Sequence, residues 1–187
     1  MEIPFVIYSE STPNPAVMKF VSNKNLCINA QEYLTIKDTE KNTLPAKLFL
    51  FPFVKEVFIA SNYISIKKHE LTDWVDVTNQ IRIFIQEELN QKTPITQSNL
   101  HQTKGKGNKT KLIHDIEQVL NTTIRPNIQM DGGDIELVSC EKGILKLFLK
   151  GACSGCPSSQ MTLKDGIETL LKSKFPDKIK EVVAINT

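Results

Sequence analysis

The sequence predicts an α+β protein of two small domains, residues 1–90 and 110–187, joined by a flexible linker at 91–109. Three features lead there. From Asn90 to Lys109 the chain lacks apolar periodicity and is rich in Gln, Thr, Lys, Asn and Gly, and so long a structureless stretch is rare inside one compact domain. On both sides of it, short β-branched and aromatic runs alternate with segments of helical spacing. The 187 residues are 40% hydrophobic and 24% charged, which excludes a disordered, collagen-like or coiled-coil chain and leaves two cores, each near the size where stability margins become thin.

In the first domain, Phe5–Tyr8, Val17–Val21 and Tyr33–Ile36 have strand composition, and Ser11-Thr12-Pro13-Asn14-Pro15 forms a turn or extended loop. Pro45–Leu50 is expected as a short helix with Pro45 at its first position. Val54–Ile59 and Tyr63–Lys67 flank Ala60-Ser61-Asn62 as a hairpin. Behind an Asp73 cap, Trp74, Val77, Ile81, Phe84 and Ile85 recur at helical spacing, giving a helix to Leu89 whose apolar stripe is core. In the second domain, Leu112, Ile113, Ile116, Val119 and Leu120 mark an amphipathic helix expected to end near Arg125-Pro126. Asp134–Cys140 and Ile144–Lys150 read as antiparallel strands around Glu141-Lys142-Gly143. Pro157–Lys174, apolar at Leu163, Ile167, Leu170 and Leu171, packs on that hairpin, and Glu181–Ile185 closes the sheet, for an order α-β-β-α-β.

Net charge is +2, but residues 91–111 hold five basic and no acidic side chains while both flanks are slightly acidic. The surplus lies in the linker rather than on a folded face, so no nucleic-acid partner is expected. No apolar run approaches the roughly 20 residues that cross a bilayer, so no membrane partner is expected either. Met1–Glu10 has neither a basic region ahead of an apolar segment nor an Arg/Ser-rich amphipathic run, and the expected location is cytoplasmic.

Of four cysteines, Cys27 and Cys140 are isolated and expected to be buried structural thiols. Cys153 and Cys156 form a C-x-x-C loop, Gly151-Ala152-Cys153-Ser154-Gly155-Cys156-Pro157, between a strand and a helix start, a spacing that suits metal binding or dithiol chemistry. With Pro157 at the first helical position, the free N–H groups of Ser158, Ser159 and Gln160 are expected to lower the thiol pKa and support an anionic metal–thiolate centre. Gly151 and Gly155 allow close backbone approach. A structural disulfide conflicts with a cytoplasmic location.

Zinc and iron–sulfur centres usually take four protein donors, and this loop offers two. His69, His101 and His114 fall in the first domain, the linker and the polar side of a helix, where exposure is expected. A symmetric homodimer with its two-fold axis beside the loop would bring Cys153 and Cys156 of each chain together as four thiolates. Zinc and iron–sulfur both satisfy that count.

The run from Gly151 through Cys153-Ser154-Gly155-Cys156-Pro157-Ser158-Ser159 to Met161-Thr162-Leu163-Lys164, preceded by Arg125-Pro126 and Asp131-Gly132-Gly133-Asp134, resembles the NifU-type C-terminal domain of Nfu iron–sulfur cluster carriers. Residues 1–90 resemble the Nfu N-terminal domain through Thr12-Pro13-Asn14-Pro15, Lys19-Phe20, Phe53–Phe58 and the Trp74 helix. The resemblance implies that Cys153 and Cys156 bind a [4Fe-4S] cluster shared between two subunits, that the cluster passes to apo iron–sulfur client proteins, and that there is no catalytic turnover. It gives the first domain no ligands, and the lone Cys27 adds none, so recognition of clients or of the cluster assembly machinery is expected of it. The three-cysteine assembly domain of full-length NifU proteins is not in this sequence, which favours carriage over primary assembly.

The rival is a thiol–disulfide oxidoreductase with Cys153 as nucleophile and Cys156 as resolving thiol. Such sites sit in a βαβ context, whereas the strands before this loop read as an antiparallel hairpin. Structural zinc across a dimer ranks third. Asp131-Gly132-Gly133-Asp134 reads as a strand-entry turn rather than a hard-metal or acid–base site. Met161 is expected as packing filler, and Lys19, Lys67 and Lys68 as solvated.

Overall fold

A computed structural model describes residues 3–95, 111–154 and 157–185, with backbone alone at 157–160 and 162. The chain divides into two units, Met1–His101 and Gln102–Thr187, and the α+β class is as expected.

The first unit is a five-stranded antiparallel sheet. Its strands are β1 (Ile7–Ser11), β2 (Val17–Ser22), β3 (Gln31–Tyr33), β4 (Val54–Ala60) and β5 (Tyr63–Lys68), in the order β1-β2-β5-β4-β3. Helix α1 (Leu44–Leu48) and helix α2 (Trp74–Asn90) complete it. Phe20, Val57, Ile59, Ile64 and Ile66 point to one sheet face and meet Ile81, Ile85 and Leu89 of α2, each buried. Trp74 lies edge-on to Phe20 with centroids 6.4 Å apart, so its stripe is core. Asp73 takes the extended N-cap conformation but makes no side-chain capping bond.

The third expected strand differs from the observed one. It runs Gln31–Tyr33, and Ile36 instead opens a 3-10 turn because the Asp38 carboxylate accepts the Thr35 N–H at 2.8 Å. The expectation of solvated lysines is corrected, for Lys19 and Lys67 on the opposite sheet face and for Lys68 on the helix side. Lys19, 8% exposed, pairs with Glu10 at 3.1 Å and lies 5.1 Å over the Tyr63 ring, Lys67 pairs with Glu56 at 2.8 Å, and Lys68 is half-buried. Residues 93–95, inside the expected linker, make contacts within the first unit. Thr93 N–H donates to Glu88 O, Leu44 N–H donates to Pro94 O, and Ile95 packs on the core; residues 96–109 lie outside the described residues.

The second unit opens with α3 (Lys111–Val119), passes through a π-helical stretch, Leu120–Ile124, and continues as α4 (Arg125–Met130). The expected stop at Arg125-Pro126 does not occur. Arg125 keeps helical dihedrals and donates its N–H to Leu120 O, five residues back, so the π turn absorbs the register change that proline would otherwise force. Ile116, Leu120, Ile124 and Ile128, four apart, are all buried, and this unbroken apolar row holds the helix through the proline.

Strands β6 (Gly133–Glu141) and β7 (Ile144–Gly151) pair antiparallel, and after α5 (Pro157–Lys174) strand β8 (Glu181–Ile185) joins β7 in parallel. Both hairpin turns hold two residues rather than three, because Ser61 and Lys142 adopt positive φ (46° and 52°) without being glycine. Glu168 on α5 accepts the Val182 N–H at 2.9 Å and ties the helix to the last strand.

Candidate functional site

The end of β7, the start of β6 and the first residue of α4 converge. Gly151 closes β7 opposite Gly133 with φ 64°. The following turn is held by Ser154, whose N–H and hydroxyl both donate to Gly151 O at 3.0 and 2.8 Å. Ala152 N–H donates to Gly132 O at 3.2 Å. Between these bonds Cys153 turns inward: it is 8% exposed and belongs to the core with Ile116, Ile135, Leu149 and Ile167.

Gly133 makes room for that thiol. A Cβ there would lie 2.6 Å from Cys153 Sγ and 2.8 Å from Lys150 O, so no larger residue fits without displacing the cysteine or the strand. Arg125 fixes the strand entry. Its Nε donates to Asp134 Oδ1 at 2.8 Å and its Nη2 to Ile135 O at 2.6 Å, and Nη1 donates to Asn121 Oδ1. Asp134 Oδ1 also accepts the Ile135 N–H at 2.8 Å.

The expected depression of the thiol pKa is reversed at Cys153. Burial, then the carboxylates of Asp131 and Asp134, push it up to about 12. The helix N-terminus acts mainly within its own first turn, and the Cys153 side chain is packed towards β6 instead. The second expected ligand, Cys156, and Gly155 lie outside the described residues. Cys27 is half-buried in the first unit, its pKa raised by burial, and Cys140 is half-buried seven residues along β6 from Gly133, with its pKa also raised by burial. Cys140 packs against the same core as Cys153, but among the described residues no group of three or more potential metal ligands forms. His69 and His114 are exposed and His101 lies outside the described residues. Met161, expected to fill packing, is 67% exposed.

The expected contrast with a βαβ setting also fails, since β7, α5 and β8 form a parallel βαβ unit with the C-x-x-C loop at its strand-to-helix junction. The residues that sequence reasoning undervalued are Gly133, Arg125 and Ser154. Asp131-Gly132-Gly133-Asp134 is indeed a turn into a strand, with Gly132 at φ 82°, but its second glycine serves the thiol. Two successive glycines where one suffices for a turn were the available signal.

Two family models match: the NifU-like domain over residues 116–183 and the scaffold protein Nfu/NifU N-terminal domain over residues 7–92. NifU-like protein C1709.19c of Schizosaccharomyces pombe is 30% identical over 96% of this chain and 72% of its own length. The mitochondrial NFU1 iron–sulfur cluster scaffold homologs of Drosophila willistoni and Drosophila grimshawi are 31% and 33% identical over 91% of this chain. The chain spans 61% and 59% of those fly proteins. Among solved structures, protein SAV1430 from Staphylococcus aureus matches 44% of this chain and 99% of its own with 20% identity and a TM-score of 0.36, a likeness too slight to bear on the fold.

Proposed function

This chain belongs to the Nfu family of NifU-like proteins, and from that premise we propose that it carries an iron–sulfur cluster as cargo, held by Cys153 and Cys156 and delivered to apo-proteins. The observation that carries the reading is the C-x-x-C pair at the β7–α5 junction, inside the span matched to the NifU-like domain. Two thiols are half of a usual cluster ligand set, so two chains meet around one [4Fe-4S] cluster and supply four. On ligation each thiol gives up its proton to solvent as sulfur binds iron. A cluster bridging two chains at a loop is released when they part, which is what a donor requires.

The same site argues against the oxidoreductase reading, although its βαβ setting would suit one. A nucleophilic cysteine works as the thiolate, and burial with two neighbouring carboxylates holds Cys153 protonated. Iron supplies the positive charge that drives deprotonation; a disulfide substrate does not. The chemistry calls for a reducing compartment, which both the cytoplasm expected from the sequence and the mitochondrion of the relatives' names provide. The first unit, with no ligand set among its described residues, serves to recognise clients or the assembly machinery and raises their effective concentration near the cluster.

Anaerobic reconstitution tests the reading. The protein should turn brown with bound iron and sulfide, Cys153→Ser or Cys156→Ser should lose both, and Cys27→Ser and Cys140→Ser should keep them. Colourless protein, or iron lost with Cys27, overturns it. Removing residues 1–90 should leave binding intact and slow transfer to some clients; unchanged transfer to every client would remove the recognition role.

A further inference from the structure

A cysteine that shares a cluster with a second chain must reach the surface, yet Cys153 is packed inside, 8% exposed and within the core. Two close contacts define its place. The empty Cα face of Gly133 receives the sulfur, since a Cβ there would lie 2.6 Å from Sγ. The turn that carries it is closed by Ser154, whose N–H and Oγ–H converge on Gly151 O, and Ala152, 4% exposed, is tied to Gly132 O from the other side.

We infer that residues 151–154 form a latch that stores the Cys153 thiol against Gly133 and presents it only when the Ser154–Gly151 contacts open. Ser154 is then a positioning residue: its hydroxyl, held on Gly151 O, sets how often the thiol is outside. Its hydroxyl adds a second donor to the Gly151 carbonyl beside the Ser154 N–H, and alanine would keep only the N–H. Gly151, at φ 64°, supplies the backbone shape the closed turn needs. A stored thiol is shielded from alkylation, oxidation and stray metal until the turn opens, so acceptance of cargo is coupled to a local rearrangement. The inference rests on the reading of Cys153 as a cluster ligand, but the latch belongs to the polypeptide and is tested without iron.

The experiment labels the metal-free full chain, in a Cys156→Ser background that leaves Cys153 as the one thiol of its tryptic peptide, with N-ethylmaleimide and follows each cysteine by mass spectrometry. Cys153 should react at least about tenfold more slowly than in the urea-unfolded chain, consistent with a closed state favoured by one decade or more. Ser154→Ala should speed it about fivefold, the worth of one hydrogen bond, with Cys27 and Cys140 unchanged. Gly151→Ala, which strains the same turn by a separate route, should speed it as well. Labelling of native Cys153 at the unfolded rate, no change in Ser154→Ala, or equal acceleration at Cys140 would each overturn the latch. Those outcomes leave cluster carriage standing, because reconstitution decides that separately.

Discussion

The two units solve the same packing problem with different materials. In the first, every fully buried large side chain is hydrocarbon or aromatic, from Phe20 and Phe58 to Ile81 and Ile85, and the charged groups Lys19 and Lys67 are paired on the far sheet face. In the second, a thiol occupies a core position, a glycine yields it space, and an arginine–aspartate pair pins the strand beside it. The first unit is built for one state. The second has placed a reactive group where apolar packing would be more stable, and such local concessions mark sites rather than scaffolds.

The contrast can be broken most forcefully from the scaffold side. Ile81→Ala removes a fully buried side chain from the first core and should cost about 2–5 kcal/mol. Hydrogen exchange should show protection falling in the first unit and holding at β6 and β7, since the two cores share no residue among those described. Equal loss in both would mean that the cores are not independent.

Next in size is Gly133→Ala. Overpacking of this kind costs about 1–3 kcal/mol, and the new methyl meets Lys150 O as well as Sγ, so thermal melting should drop and Cys153 should become easier to alkylate. A neutral result would mean that the close approach is not real.

Alkaline pH sharpens the comparison at the thiol itself. A group whose pKa is raised by folding contributes stability that is full below its unfolded value, here 9.0, and that drains away as pH rises through the folded value near 12. Between pH 9 and 10.5 the second unit should lose up to about 2 kcal/mol, at about 1.4 kcal/mol per pH unit. Cys153→Ala should flatten that slope, measured by urea unfolding followed at the second unit. An unchanged slope would place the thiol in water.

The smallest effect has the opposite sign. Gly166 lies in α5 with nothing within 4 Å of a Cβ, so Gly166→Ala should raise stability by about 0.5–1 kcal/mol. Two glycines of one unit would then respond in opposite directions, one kept for space and one merely tolerated.

Much of this was legible beforehand. Pro157 and the spacing of Leu163, Ile167 and Leu171 place α5, and Glu181–Ile185 is β8 residue for residue. Other features were hidden for physical reasons. Turn length depends on whether Ser61 and Lys142 accept positive φ, which their side chains do not advertise. Continuation of the helix past Arg125-Pro126 depends on a π turn paid for by tertiary burial of Ile124 and Ile128. Parallel pairing of β8 follows from packing of α5 and has no local signal. A C-x-x-C spacing names the chemistry but not the direction of the sulfurs, and Cys153 points inward because Gly133, twenty residues upstream in the chain, leaves the gap.

Native mass spectrometry of anaerobically reconstituted protein, with iron and sulfide counted on the same sample, tests the central claim most directly. Carriage by half ligand sets predicts a species of two chains with about four iron and four sulfide ions, falling to bare single chains with Cys153→Ser. A single chain holding the whole cluster, or a pair of chains holding none, would contradict it.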